Sequence, residues 1–188
     1  MERVAGAVLT GGGSRRMGRE KALIEIDGVA MMRRVADSLT DAGCAPVVAV
    51  GGDRVRLTGS GLAVITDGWP GEGPLGGIIT ALSATGTATC IVACDVPWVS
   101  SVTLRRLLEV AATSADDVDV VAASTGRLEP LCAVWLPSAA GPLADAFGAG
   151  ERAVRRAMGA LRVVTVEVDA ADLRNVNTPA DLPHDAPA

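Results

Sequence analysis

The run TCIVACD, residues 89–95, stays apolar from Cys90 to Cys94 and then stops on a carboxylate. A strand that shows one face to water alternates polar and apolar residues, so an unbroken apolar run describes a strand covered on both faces. That cover comes from helices packed above and below a parallel sheet. The rest of the chain supplies the needed alternation. The strand-like runs VAGAVLT (4–10), PVVAVGG (46–52), LAVITD (62–67) and LRVVTVEV (161–168) are separated by segments of helical period.

Residues 29–42 place Met32, Val35, Ala36 and Leu39 on one helical face, and Gly43 follows as a stop. LGGIITALSA (75–84) reads as a helix whose glycines imply close packing, and a third helix is expected from Ser100 or Ser101 to about Ala112 with Ser as its N-cap. ALIEIDG (22–28) alternates like a strand and ends in an Asp-Gly turn. VDVVAAS (118–124), a turn at STGR and EPLCAVWLP (129–137) read as an antiparallel addition to the sheet. Short helical segments are expected at Pro142–Phe147 and Glu151–Met158. In NVNTPADL (175–182), Thr178 as N-cap, Pro179 at the first helical position and Asp181 at the third predict a capped helix start. The expectation is an α/β three-layer sandwich on a mostly parallel sheet, in one domain without internal repeats.

Composition removes several function classes. With three Trp, one Phe, no Tyr and a net charge of -5, the chain lacks both the stacking platforms and the basic surface of a nucleic-acid binder. No apolar run reaches membrane-spanning length, and the N-terminal apolar segment runs straight into glycines rather than into a signal-peptide pattern. A cytoplasmic protein is expected. Cys44, Cys90, Cys94 and Cys132 form no C-x-x-C pair and are read as reduced, buried thiols in preference to a disulfide or zinc site. The single histidine, His184, lies in the Pro-rich last residues, which argues against chemistry built on a histidine base or histidine ligands.

The loop after the first strand, LTGGGSRRMGREK (9–21), combines three consecutive glycines and Gly18 with Arg15, Arg16, Arg19 and Lys21. In open parallel sheets ligands sit beyond the carboxyl ends of the strands, and a glycine-rich turn lets successive N–H groups face a phosphate. A Walker A loop laid on Gly13–Gly18 fails, because Arg19-Glu20 stand where Lys-Ser/Thr belong. The dinucleotide fingerprint laid from Gly11 puts Arg16 on its last glycine and also fails. Local cations on an acidic protein fit a small polyphosphate, since a duplex would need charge spread over a face; a solvated basic turn is the alternative.

LTGGGSRRMGREK resembles the L-x-G-G-x-x-x-R-M-G-x-[DE]-K signature of the MobA family of nucleotidyltransferases, which includes molybdenum cofactor guanylyltransferase. ITD (65–67) with GEGPLGGI (71–78), ACDVP (93–97) and NVNTPADL follow in the family's order, so the resemblance extends over residues 4–182. It implies a Rossmann-like nucleotidyltransferase fold with a nucleotide half over about 1–100 and an acceptor half over about 101–182. It also implies transfer of GMP from GTP to the phosphate of molybdopterin or the molybdenum cofactor, with release of pyrophosphate. A cytidylyltransferase for the same cofactor, a transferase with another small phosphorylated acceptor, and a catalytically silent nucleotide or cofactor carrier are the alternatives.

Carried onto this chain, the resemblance gives Leu9, Thr10, Gly11 and Gly12 main-chain contacts to the nucleotide, and Arg16 and Lys21 the phosphates. Asp95, at the end of the buried run, would carry Mg²⁺, a hard ion that takes few carboxylates; capping a turn is the other reading. Asp67 corresponds to a second acid on the base or ribose, and Gly73, Pro74 and Leu75 would lie beside them, a helix-start turn being compatible with that. Gly51 falls where some relatives have a polar nucleotide contact, a departure in this chain. Asn175 and Asn177 match a pair near acceptor and metal, whereas capping alone accounts for Thr178, Pro179 and Asp181. Arg152, Glu129 and Pro130 lie in the acceptor half as further candidates for acceptor contacts. Transient contacts with cofactor-biosynthesis proteins or recipient molybdoenzymes follow as an expectation.

Overall fold

The structure, a computed structural model, describes residues 3–11, 20–114 and 117–182. Among the described residues the main sheet has seven strands: β1 (Ala5–Leu9), β4 (Val47–Val50), β5 (Ala63–Ile65), β6 (Thr89–Ala93), β7 (Val120–Ser124), β8 (Leu128–Trp135) and β9 (Val163–Glu167). Their spatial order is β5-β4-β1-β6-β8-β7-β9. Only β8 runs against the others, pairing antiparallel with β6 and β7, while β9 returns parallel to β7. The antiparallel addition expected over 118–136 is therefore one reversed strand inserted into an otherwise parallel sheet.

Helices cover both faces. On β6, Cys90 and Val92 enter one core with α1 (Met31–Ala42) and α3 (Ser101–Ser114). Ile91 enters the other core with α2 (Pro74–Thr85) and α4 (Ala140–Gly148), to which α5 (Val154–Ala157) adds an edge. This double cover is the physical reason for the unbroken apolar run. All four cysteines are unpaired and buried in the α1/α3 core, and burial pushes the Cys94 and Cys132 thiols up to about 12, which keeps them protonated.

Helix α1 forms because Met32, Val35, Ala36 and Leu39 make one buried stripe. Each large apolar side chain so buried contributes about 1.5–3 kcal/mol. The helix ends at Gly43, whose φ of 106° allows its N–H to reach Thr40 O while Cys44 N–H reaches Leu39 O. Gly6 on β1 lets this end sit tight: a Cβ there would stand 3.0 Å from Val47 Cγ2 and 3.1 Å from Cys44 Cβ. Helix α3 starts as read, Ser100 Oγ accepting the Thr103 N–H at 3.1 Å, and runs two residues past Ala112.

Two expectations change. Residues 22–28 make a strand of only two residues, which ends in the expected Asp-Gly turn. Lys21–Leu23 is a 3-10 turn, and β2 (Glu25–Ile26) pairs with β3 (Val29–Ala30) in a separate ribbon. Asp27 (φ 53°) and Gly28 (φ 75°) close it as the two central residues of a tight hairpin turn, so α1 begins at Met31 rather than at 29. The C-terminal helix start is, among the described residues, a single 3-10 turn at Pro179–Asp181. Asp181 reaches back to the Thr178 N–H (2.7 Å), and its carboxylate also accepts the Thr178 hydroxyl. That is the acid's half of a capping box, without the reciprocal bond from threonine. Among the described residues no helix is long and apolar enough to cross a membrane.

Candidate nucleotide-binding site

The carboxyl ends of β1, β4 and β5 open onto a cleft of about 470 Å³ lined by Leu9, Gly11, Gly51, Asp67, Gly73 and Pro74 among others. Six of the residues expected at a nucleotide site thus share one wall. The wall exists because two strand ends meet without side chains between them. Thr10 is buried, and its hydroxyl donates to Val50 O (3.1 Å) and Gly51 O (2.8 Å), tying β1 to β4. Gly51 has a φ of 80°, and a Cβ on it would stand 3.0 Å from both Cα and N of Gly11. The departure noted at Gly51 has a steric cause here: a polar side chain would push the shelf apart.

Asp67 is half committed to this scaffold. Its Oδ1 accepts the Trp69 N–H (3.0 Å) and the Thr80 hydroxyl (3.2 Å), which fixes the turn into α2. Its Oδ2 has no hydrogen bond from a described residue and lies 3.8 Å from the position of a Cβ on Gly11. Glu20 and Asp53 line the same cleft and carried no expected role, although Glu20 fills the acidic position of the loop signature. Three carboxylates lining one cleft repel phosphates and accept N–H and O–H donors, the chemistry of a base and a ribose. Leu75 is fully buried in the core, so only its backbone could meet a ligand.

A paired cation and carboxylate stand at the neighbouring strand end. Lys21 Nζ donates to Asp95 Oδ2 (3.0 Å) and to Asn177 Oδ1 (2.8 Å), joining residues 74 and 156 positions away in sequence. Asp95 stands two residues beyond β6, and the intervening Cys94 N–H still bonds to Leu9 O of β1. The C-terminal segment is fastened there by the Val176 N–H donating to Asp95 O (2.8 Å). A small separate core of Ile26, Met31 and Val176, with Trp98 and Leu182 packed on it, anchors ribbon and segment together. Farther back, Asp172 accepts hydroxyl bonds from Ser100 and Thr103 at the start of α3.

Asp95 and Asn177 present two hard oxygen donors to one cation. That set fits a divalent ion of the Mg²⁺ kind, which fills its remaining positions with water and phosphate oxygens. Among the described residues no three His, Cys, Asp or Glu side chains gather as a metal cage.

The other candidates fall elsewhere. Gly12 and Arg16, with Arg15 and Arg19, lie outside the described residues. Asn175 is exposed, with no hydrogen bond to a described residue. Glu129 accepts from Thr125 Oγ1 (3.0 Å) and Arg127 Nε (2.7 Å), and Pro130 sits where the β7–β8 register shifts. Arg152 bonds Glu72, the Phe147 carbonyl and the Glu151 carbonyl.

A mostly parallel sandwich with a glycine shelf and a Lys–Asp–Asn cluster at the strand ends is the build of a nucleotidyltransferase. A family model for the MobA-like NTP transferase domain matches residues 6–166. The chain is 36% identical to a probable molybdenum cofactor guanylyltransferase of Pelotomaculum thermopropionicum, over 97% of this chain and 91% of that one. It is 34% identical to the molybdenum cofactor guanylyltransferase of Rhodobacter capsulatus, over 96% and 93%. The crystal structure of molybdopterin-guanine dinucleotide biosynthesis protein A from Archaeoglobus fulgidus superposes with a TM-score of 0.79 at 27% identity, covering 95% of this chain and 94% of that one. The chain belongs to the MobA-like NTP transferase family.

Proposed function

We propose that the protein transfers GMP from GTP to the terminal phosphate of molybdopterin or the molybdenum cofactor, releasing pyrophosphate and forming the guanine dinucleotide cofactor. The observation that carries this reading is the meeting of Lys21, Asp95 and Asn177 beside a glycine shelf. It occurs in a chain whose relatives bear the guanylyltransferase name over nearly their whole length.

In this reading the shelf at Leu9, Gly11 and Gly51 takes the guanosine, and Asp67 Oδ2 accepts from guanine N1–H and the 2-amino group. Gly73 and Pro74 border the same pocket. Lys21 turns from Asp95 to the phosphates, with Gly12 and Arg16 completing that contact as the loop signature implies. A phosphomonoester near neutral pH is already largely dianionic, so an oxygen of the acceptor phosphate attacks the α-phosphorus without a protein base. The bond from the α-phosphorus to the bridging oxygen breaks, and that oxygen leaves with pyrophosphate. Asp95 and Asn177 would hold Mg²⁺, which when bound supplies Lewis-acid neutralisation of the α-phosphate charge. Asn175 and Asn177 orient the acceptor, which is positioning rather than proton transfer. A triphosphate substrate and four unpaired thiols suit the cytoplasm. Recipient molybdoenzymes would meet the protein only transiently.

The test is pyrophosphate release by the purified chain with Mg²⁺ and molybdopterin, run in parallel with GTP, CTP and ATP. Release with GTP alone is the expected result. Release with CTP would keep the mechanism and change the product. Nucleotide binding without release from any of the three would point to a silent carrier or another acceptor.

A further inference from the structure

The loop that borders the nucleotide cleft carries an unusual conformational burden. Glu72 stands between Gly71 (φ 85°) and Gly73 (φ 93°), two residues whose backbone freedom must be held down for Gly71, Gly73 and Pro74 to keep their places in the cleft wall. The holding comes from a residue 80 positions away. Arg152 Nε and its terminal NH2 both meet Glu72 Oε2, at 2.7 and 2.6 Å. Its NH1 donates to Phe147 O (2.7 Å) and Glu151 O (2.9 Å), and the guanidinium lies 3.8 Å from the centre of the Phe147 ring. The same ring contacts Trp69 of the loop at 5.1 Å between centroids. The backbone closes the clasp, since a Cβ on Gly73 would have Arg152 O as its nearest neighbour, at 3.9 Å.

All three guanidinium nitrogens of Arg152 are therefore engaged, and the engagement faces the nucleotide loop. Four of its five N–H donors are so committed, and an anion could take the fork in a bidentate grip only by breaking one of these contacts. We infer that Arg152 and Glu72 form a clasp that positions the base-side loop of the nucleotide cleft, so that Arg152 acts on nucleotide affinity rather than as a contact to the acceptor phosphate. The inference rests on the reading of the cleft as a GTP site. Arg152 is a positioning residue in it: it sets the loop through Glu72, and the loop meets the nucleotide.

The experiment measures GTP binding to the full chain by calorimetry with Mg²⁺, and separately the KM for each substrate. Glu72→Gln and Arg152→Ala should each weaken GTP binding about three- to tenfold, the range of a partly exposed ion pair with a cation–π contact. The double variant should be no weaker than Arg152→Ala, because both changes open one clasp. Arg152→Lys, which keeps charge without the planar fork, should recover part of the loss. The acceptor KM should stay within about twofold of wild type, as expected for a group outside that site. A raised acceptor KM with unchanged GTP binding in Arg152→Ala would overturn the clasp and return Arg152 to the acceptor. Unchanged GTP binding in Glu72→Gln would also overturn it, and since Glu72 is half-exposed that variant reads the contact even if Arg152→Ala folds poorly. A wild-type chain that binds no GTP would overturn the cleft assignment itself, a different failure from a wild type that binds GTP with variants that bind it equally well.

Discussion

The two ends of the site are made of different material. The shelf at Gly11 and Gly51 is backbone held against backbone, with the Thr10 hydroxyl as its tie. The cluster at Lys21, Asp95 and Asn177 is made of side chains delivered from three distant segments. At Gly51 this backbone surface has no room for an added atom, so changes there act through shape and fold together. A side-chain cluster can lose a member and leave the sheet behind it intact, so changes there act on chemistry.

Four variants put that contrast at risk. Asp95→Ala should have the largest effect, lowering turnover by about two to three orders of magnitude, as loss of one charge-stabilising group does, with the melting temperature nearly unchanged. A large loss of stability would break the contrast. Gly51→Ala should do the reverse. A residue held at φ 80° with its Cβ 3.0 Å from Gly11 backbone atoms should cost about 2 kcal/mol of stability in denaturant titration and weaken GTP binding as well. Unchanged binding would mean that the shelf is not where the nucleotide lies. Asn177→Ala removes one hydrogen bond to a charged group and should reduce turnover roughly tenfold without changing the denaturation midpoint.

The smallest effect is expected at the opposite end of the strands, where Asp119 serves as a control. Arg162's guanidinium hydrogen bonds, then the Ser138 hydroxyl and the Arg162 N–H, hold the Asp119 carboxyl well below the usual carboxylate range. A depressed native pKa contributes stability fully above the unfolded value of about 3.9 and loses it as pH falls through the native value. Asp119→Asn should therefore be less stable than wild type at neutral pH, with the gap closing in titrations below about pH 4, and with GTP turnover unaffected. An activity loss there would mean that the two ends of the sheet are coupled.

The same contrast decides what could be read from sequence. Apolar runs ending at Leu9 and Asp95 and glycines at strand ends reported the sheet and shelf directly, because those features have few other uses. Lys21, Asp95 and Asn177 were named one by one through the family signature, but their meeting depends on the C-terminal segment folding back across β6, which no local pattern encodes. Leu75 lies inside the expected motif with its side chain pointing inward, because a motif fixes position along the chain and not direction. Residues 22–28 misled because the alternation of a two-residue ribbon strand looks like the start of a longer one. The attachment of Arg152 to Glu72 had no signal, since an ion pair across 80 positions leaves no spacing to detect.

The most direct measurement follows the α-phosphorus. GTP labelled at that atom, incubated with the protein, Mg²⁺ and molybdopterin, should pass its label into a guanine dinucleotide of the cofactor, with the β- and γ-phosphates leaving as pyrophosphate. Asp95→Ala protein, still folded, should leave the label in GTP. Label recovered as free GMP, or left in GTP by a wild-type protein that binds both substrates, would contradict the account.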